Sequence, residues 1–249
     1  MGSKPSSTAA AHNTTKRKRS NTQASHHSTH LENIKTVQEP TRTSNVRTIP
    51  VPAQVIIPKF NAQQCEQLFQ RYADQDSPNI ITPDGTRQFF EDLGLSIEDV
   101  LIFAIAWKMH TSTMGYITKE EWMLGMKELE TDSIEKLRAK RSDFEKVFHD
   151  PEQFKEMYKY TFTFAKNRDQ KCMEIETASV LWTMLLSERY PMVNDFVSFL
   201  QEKSPVKVIN RDQWQSFLEF VSIDIADYDE SSAWPVLFDE FVEWRKEQS

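Results

Sequence analysis

Apolar residues recur at helical spacing only from Phe60 onward. Cys65, Leu68, Phe69 and Tyr72 form one stripe, Leu101, Ile105, Trp107 and Met109 a second, and Phe154, Met157, Tyr158, Thr161, Phe162 and Ala165 a third. Start signals divide the pattern further. Thr82-Pro83 and Asp150-Pro151 each set a cap ahead of a first-turn proline, and Asn210 with Gln213 has capping-box spacing before Trp214, Phe217, Leu218 and Val221. The pattern predicts about ten helices, near 60–73, 83–93, 97–109, 118–129, 133–148, 151–166, 175–189, 192–202, 210–225 and 233–246. Only Ile80-Ile81, Tyr116-Ile117 and Lys207-Val208 suggest extended pairing. Residues 59–249 therefore read as an all-α domain of two packed helical halves. Residues 1–58 mix Ser, Thr, Asn, Gln and His with five of the eleven prolines and hold no aromatic residue. Such a segment buries too little apolar area to offset its ordering entropy, so a disordered tail is expected.

Charge sharpens this division. Residues 1–60 carry nine Lys/Arg and two Asp/Glu, a net +7, whereas the remainder carries 21 against 35, a net −14. A body that acidic is a poor match for phosphate backbones and a better one for proteins with basic faces. Nucleic acid is therefore not an expected partner, and the competing reading, binding through the basic tail, would show as strongly salt-dependent affinity. The five glycines, Gly2, Gly85, Gly94, Gly115 and Gly125, are too scattered to cradle phosphate. The longest apolar run, residues 100–107, is far below the roughly 18 residues of a membrane span. Cys65 and Cys172 lie 107 positions apart, which fits a reducing compartment rather than a disulfide framework or a zinc site.

Two segments have the outline of calcium loops without the ligands. In residues 110–121, Gly115, Ile117 and Glu121 occupy the turn, pairing and bidentate positions of a twelve-residue loop, but positions 1, 3 and 5 are His110, Ser112 and Met114. Residues 74–85 fail in the complementary way: Asp74 and Asp76 fill positions 1 and 3, whereas Pro78, Asn79 and Gly85 hold 5, 6 and 12. The first half is thus expected to be built from degenerate EF-hand-like helix-loop-helix units with no metal or other cofactor. A calcium-responsive regulator would need the carboxylates these loops lack.

Few residues signal chemistry. Cys172 has Lys171 beside it but no histidine nearby, so a structural role outweighs a nucleophilic one. His12, His26, His27 and His30 sit in the tail, where nothing orders a metal site. The run Lys16-Arg17-Lys18-Arg19 is a nuclear-import candidate, giving an expected nuclear residence with the cytoplasm as the alternative. Gly2 with Ser6 fits an acylation pattern, and one acyl chain gives no stable membrane insertion.

The C-terminus is more informative. From Asp212 onward there are ten acidic residues against Arg245 and Lys246, together with Trp214, Trp234 and Trp244. Asp212 falls in a first helical turn, where the macrodipole favours a carboxylate. Asp239 is expected on the exposed side of its helix, and the small Ala233 lets a partner side chain come close. An acidic rim around a small apolar floor suits a basic protein partner.

Several segments together resemble the defective-in-cullin-neddylation family. They are Ala106-Trp107-Lys108, Asp132-Ser133-Ile134-Glu135-Lys136-Leu137, Phe162-Thr163-Phe164-Ala165-Lys166, Ile209-Asn210-Arg211-Asp212-Gln213-Trp214, Tyr228-Asp229-Glu230, Ala233-Trp234-Pro235-Val236-Leu237 and Asp239-Glu240-Phe241-Val242-Glu243-Trp244. The resemblance runs over residues 60–247 and implies an all-helical potentiating neddylation domain with EF-hand-like units in its first half. It implies a non-catalytic scaffold ligase that binds a cullin C-terminal domain, its RING subunit and the neddylation conjugating enzyme. Such a scaffold promotes modifier transfer to the cullin and thereby activates cullin-RING ubiquitin ligases. The family's cullin patch falls on Asp212, Ala233 and Asp239. Its pocket for the acetylated N-terminal methionine of the conjugating enzyme falls on Pro83, Thr86, Ile102, Ile105, Ala106, Met109, Met114, Ile117, Phe164, Leu181 and Met184. Some members carry a ubiquitin-associated domain; here a basic tail stands instead, as in the branch with nuclear-targeting tails. An EF-hand-like adaptor that is calcium-independent and does not promote ligation is the alternative.

Overall fold

The computed structural model describes residues 60–248. Its first half begins with α1 (Ala62–Tyr72), β1 (Ile80–Ile81) and α2 (Pro83–Leu93), and continues through α3 (Leu101–Lys108), β2 (Ile117–Thr118) and α4 (Lys119–Glu128). Each trio is a helix, a two-residue strand reached through a loop, and a second helix. The strands pair antiparallel, Ile80 with Thr118 and Ile81 with Ile117, which clips the two units together. Gly115 sits in the turn with φ +81°, the left-handed conformation expected of the sixth position of that loop. Gly125 lets α4 lie on the end of α3, since a Cβ there would stand 2.7 Å from the Met109 Cα. Trp122 anchors the core of this half, edge-on to Phe89 and Phe69 and donating from Nε1 to the Cys65 carbonyl at 3.2 Å.

Helices α5 (Ile134–Ala139), α6 (Arg141–His149) and α7 (Pro151–Ala165) follow. The periodicity predicts one helix over 133–148; the chain instead breaks at Lys140, with φ −87° and ψ 7°. The break lets Ile134 and Leu137 pack on α2 while Phe144 and Val147 face α3 and α7, which one straight helix would not do. The expected caps form at Asp150, which accepts from the Glu152 and Gln153 amides, and at Asn210, where the full capping box is present. Thr82 holds the cap position before Pro83 but makes no side-chain cap bond.

The second half repeats the helix-loop-strand-helix connectivity. After α7 come β3 (Met173–Glu174), α8 (Ile175–Leu186), α9 (Met192–Lys203), β4 (Val208–Ile209) and α10 (Arg211–Phe220). Met173 pairs with Ile209 and Glu174 with Val208. A 3-10 turn (Ile225–Asp227) leads to α11 (Val236–Glu247), which starts only after Pro235 rather than at 233. Strand β3 was not expected, and the extended pairs at 116–117 and 207–208 each move one residue along. Stacked rings fill this half: Tyr158 lies 4.7 Å and Trp182 5.5 Å from Trp214, and Trp182 lies 4.3 Å from Phe217. Their polar atoms satisfy one another. Tyr158 Oη donates to the Trp214 carbonyl at 2.7 Å and accepts from Trp182 Nε1 at 2.9 Å, while Trp214 Nε1 donates to the Tyr158 carbonyl at 2.9 Å.

Helix α7 belongs to both halves, packing against α3 and α6 on one side and α10 on the other. No helix among the described residues is long and apolar enough to cross a membrane. Lys16, Arg17, Lys18, Arg19, Gly2 and the tail boundary at 58 lie outside the described residues.

Candidate functional site

Between α2, α3 and the loop after α3, the first half holds a cavity of about 290 Å³. Hydrogen bonds hold its walls apart. Thr86 Oγ1 donates to the Gly115 carbonyl at 2.9 Å, the Met114 amide donates to the Phe164 carbonyl at 2.9 Å, and Tyr160 Oη donates to the Thr111 carbonyl at 2.6 Å. These bonds tie the loop to α2 and to the end of α7, so the space between them cannot simply collapse. Pro83, Thr86, Ile102, Ile105, Ala106, Met109, Met114, Ile117 and Phe164 line the cavity, as the resemblance implies. Leu181 and Met184 do not: they stand on α8, which packs chiefly on α9 and the β3/β4 ladder. Phe90, Phe103, Thr111 and Tyr116 line it as well, and sequence reading missed them because periodicity marks an apolar face without separating core from cavity wall.

Chemically the cavity is selective. Among the described residues Arg87 is its sole charged lining residue, paired with Asp84 at 3.8 Å, and no carboxylate lines it. Ile97, 62% exposed, and Met114 and Tyr116 form an apolar mouth. A neutral, flexible apolar group can be buried here, whereas an ammonium would lose its water without gaining a counter-ion. A larger hollow of about 470 Å³ beside α1 and α5 has a polar border, on which Arg71 pairs with Asp92 and Asp132 is paired by Lys136, each at 2.8 Å.

The loop that closes the cavity does not look like a metal site. Glu121 spends its carboxylate on the loop itself, accepting from the Ser112 and Thr118 amides at 2.9 Å each and from Thr118 Oγ1 at 3.0 Å. Burial works to raise the Glu121 pKa, but the hydrogen bonds from Ser112 and Thr118 outweigh it and hold the carboxyl below its ordinary value. Among the described residues no group of three or more His, Cys, Asp or Glu could hold a metal ion. Cys65 is buried, and that burial pushes its thiol up to about 11.

The acidic C-terminal segment lies in the second half. Asp212 is exposed in the first turn of α10, directly after the Asn210 cap. Ala233 is exposed, and Val236, at the start of α11, is 69% exposed. Asp239 is half-buried one turn further on. Ala233 and Asp239 belong to one small assembly, in which Tyr228 stacks on Trp234 and both rings meet Phe220 edge-on. Asp212 stands at the other end of α10, eight residues or about 12 Å of helix rise from Phe220. Tyr228, which donates to Asp239 Oδ1 at 2.5 Å, had no signal in the sequence beyond its place in a motif.

Comparison with known proteins bears on this face. A family model described as cullin binding matches residues 136–244, a span that contains Asp212, Ala233 and Asp239. The chain is 41% identical over 192 residues to DCN1-like protein 4 of Drosophila melanogaster, covering 76% of this chain and 77% of that protein. It is also 41% identical to DCN1-like protein 4 of Danio rerio, over 76% and 68% of the two chains. To DCN1-like protein 5 of Homo sapiens it is 40% identical, over 75% and 79%.

Proposed function

The chain belongs to the DCN1-like, cullin-binding family, and from that premise we propose that it is a scaffold that promotes cullin neddylation. In this reading the face around Asp212, Ala233 and Asp239 docks a basic surface of the cullin C-terminal domain. The cavity of the first half holds the acetylated N-terminal methionine of the conjugating enzyme. The observation that carries the two-partner reading is the acid-free apolar cavity, open through Ile97, Met114 and Tyr116, in the same domain as the acidic face.

The mechanism is proximity. Holding the charged conjugating enzyme beside the acceptor lysine, next to the cullin's RING subunit, makes a bimolecular encounter nearly intramolecular. No nucleophile of this chain takes part, and the product is an activated cullin-RING ubiquitin ligase. Acetylation matters for a physical reason: it removes the ammonium that the cavity cannot neutralise.

The test is reconstituted cullin modification with limiting conjugating enzyme. Adding this protein raises the initial rate, and unchanged rates end the proposal. Titrating acetylated and free N-terminal peptides separates the second site from the first. The acetylated peptide binds at least about tenfold more tightly, since stranding one charge without a partner costs well over ~1.4 kcal/mol. Equal affinities discard the cavity assignment and leave the cullin face standing.

A further inference from the structure

Asp239 does not stand alone on the acidic face. Tyr228 Oη donates to its Oδ1 at 2.5 Å, across eleven residues and from the residue that ends the 3-10 turn. Rings add to the turn's own bond, which the Tyr228 amide donates to the Ile225 carbonyl at 3.2 Å. Tyr228 stacks on Trp234 with centroids 6.3 Å apart, and Phe220 stands edge-on to Tyr228 at 5.7 Å and to Trp234 at 6.0 Å. Phe220 in turn lies stacked on Phe238 at 4.6 Å, the residue immediately before Asp239. The phenol is therefore held by two rings, Phe220 and Trp234, before its hydroxyl reaches the carboxylate.

This bond has a directional consequence. A carboxylate on the first turn of a helix has several staggered rotamers open to it. The phenol fixes one oxygen, which leaves Oδ2 as the free acceptor. Burial, and then the anionic acceptor itself, push the Tyr228 phenol well above its ordinary value, so it stays a donor across the physiological range. We propose that Tyr228 is a positioning residue for cullin recognition: it holds the Asp239 carboxylate with one oxygen tied and the other presented to a basic side chain of the cullin. The proposal rests on the reading of Asp239 as part of the cullin-binding face. It adds that the affinity of that face depends on an oriented carboxylate, beyond the negative charge that ten acidic residues from Asp212 onward already supply.

Tyr228→Phe is the discriminating variant, because it keeps the ring against Phe220 and Trp234 and removes the hydroxyl alone. Two measurements on the full-length chain decide the matter. The first is titration with a cullin C-terminal domain, where Tyr228→Phe binds about tenfold more weakly, the size expected for a lost hydrogen bond to a charged group. The second is the Asp239 side-chain rotamer in the free protein, from three-bond NMR couplings to its carboxyl carbon. It is a single rotamer in wild type and averaged in Tyr228→Phe. Averaging without loss of affinity overturns the proposal, as does loss of affinity with the rotamer intact, which would make Tyr228 a direct contact or a structural prop. Asp239→Ala is the control for the underlying reading. If it binds as tightly as wild type, Asp239 lies outside the interface and that assignment fails first, whatever Tyr228→Phe does.

Discussion

The two halves share a connectivity and differ in what lies inside. Each joins two helix-loop-helix units through a two-residue antiparallel ladder, β1 with β2 and β3 with β4. The first half is hollow: Ala106 and Ile105 of α3 face a cavity of about 290 Å³ across from Phe90 and Phe164. The second is filled, with Tyr158, Trp182, Trp214, Phe196 and Phe217 stacked or edge-on in one continuous cluster. A hollow half offers its interior to a ligand, and a filled half offers only its surface. The proposed functions follow that division, apolar insertion in the first half and charged docking on the second. Helix α7 connects them, since Tyr158 and Phe162 lie against Trp214 while Phe164 walls the cavity.

The contrast is tested most severely by deleting one ring from each half. Trp214→Ala removes a fully buried side chain together with the bond its Nε1 donates to the Tyr158 carbonyl, so a loss of about 3–5 kcal/mol is expected in urea unfolding. Phe164→Ala enlarges a space that already exists and forfeits fewer contacts, so it costs about half as much. Equal losses would mean that the cavity wall is packed like the core, and the hollow half would lose its meaning.

On the filled half the surface carries the function. Ala233→Arg, or Asp212→Ala with Asp239→Ala, should remove cullin binding, because each charge left unpaired on the partner costs roughly 2–5 kcal/mol. The fold should respond much less. Ala233 and Asp212 are exposed and should change stability by about 0.5–1 kcal/mol at most, the larger value reflecting Asp212 at its helix N-terminus, while Asp239→Ala also gives up the bond from Tyr228 and costs about 1 kcal/mol more. Circular dichroism melts run beside pull-downs separate the two effects, and a variant that unfolds in step with its lost binding refutes the interface.

A smaller change sharpens the difference in packing. Ala106→Leu places three carbons into the cavity, so stability should change by less than ~1.5 kcal/mol while the acetylated peptide loses at least about tenfold in affinity. Ala178→Leu makes the same change on α8, where Ala178 is fully buried, and should cost about 1–3 kcal/mol by overpacking. The matched pair is read by thermal melts, and a destabilised Ala106→Leu would show that no usable space is present. Ile105 is the wrong position for such a test. At 3% exposure it also packs toward Leu93, Leu101 and Phe144, so Ile105→Asp would break the core along with the cavity.

This difference in packing also explains what could be read in advance. Helices with strong stripes and caps, such as α7 after Asp150-Pro151 and α10 after Asn210, lie where the pattern predicts them, because local signals determine them. The break at Lys140 was invisible: it answers to which neighbours Leu137 and Phe144 meet, a tertiary matter. Strand β3 was missed for the same reason, since two residues become a strand only by having β4 beside them. The acidity of the C-terminal segment was legible from charge alone. The cavity was not, because Ile102, Ala106 and Met109 read as ordinary core, and family resemblance rather than periodicity singled them out. The resemblance also named Leu181 and Met184, which stand on α8 outside the lining of this cavity.

The gentlest test concerns the loop that closes the hollow half. Glu121 accepts hydrogen bonds from Ser112 and Thr118, and these outweigh burial and hold its carboxyl below the ordinary value. Since the folded-state pKa lies below that of the unfolded chain, the unfolded state takes up the proton first as pH falls. Glu121 therefore contributes its full stabilisation above the ordinary carboxylate range, near pH 4.3 and up, and loses it as pH drops through the folded-state value. Glu121→Gln removes that titration, so its stability should lie below wild type at neutral pH and converge with it in acid, with a shallower slope between. Urea unfolding at a series of pH values measures both curves. The difference should be small, about 1 kcal/mol or less, because Glu121 is half-exposed and water screens it. Parallel curves would show that the loop is held without this carboxylate, leaving the bonds from Thr86 to Gly115 and from Met114 to Phe164 to keep the cavity open.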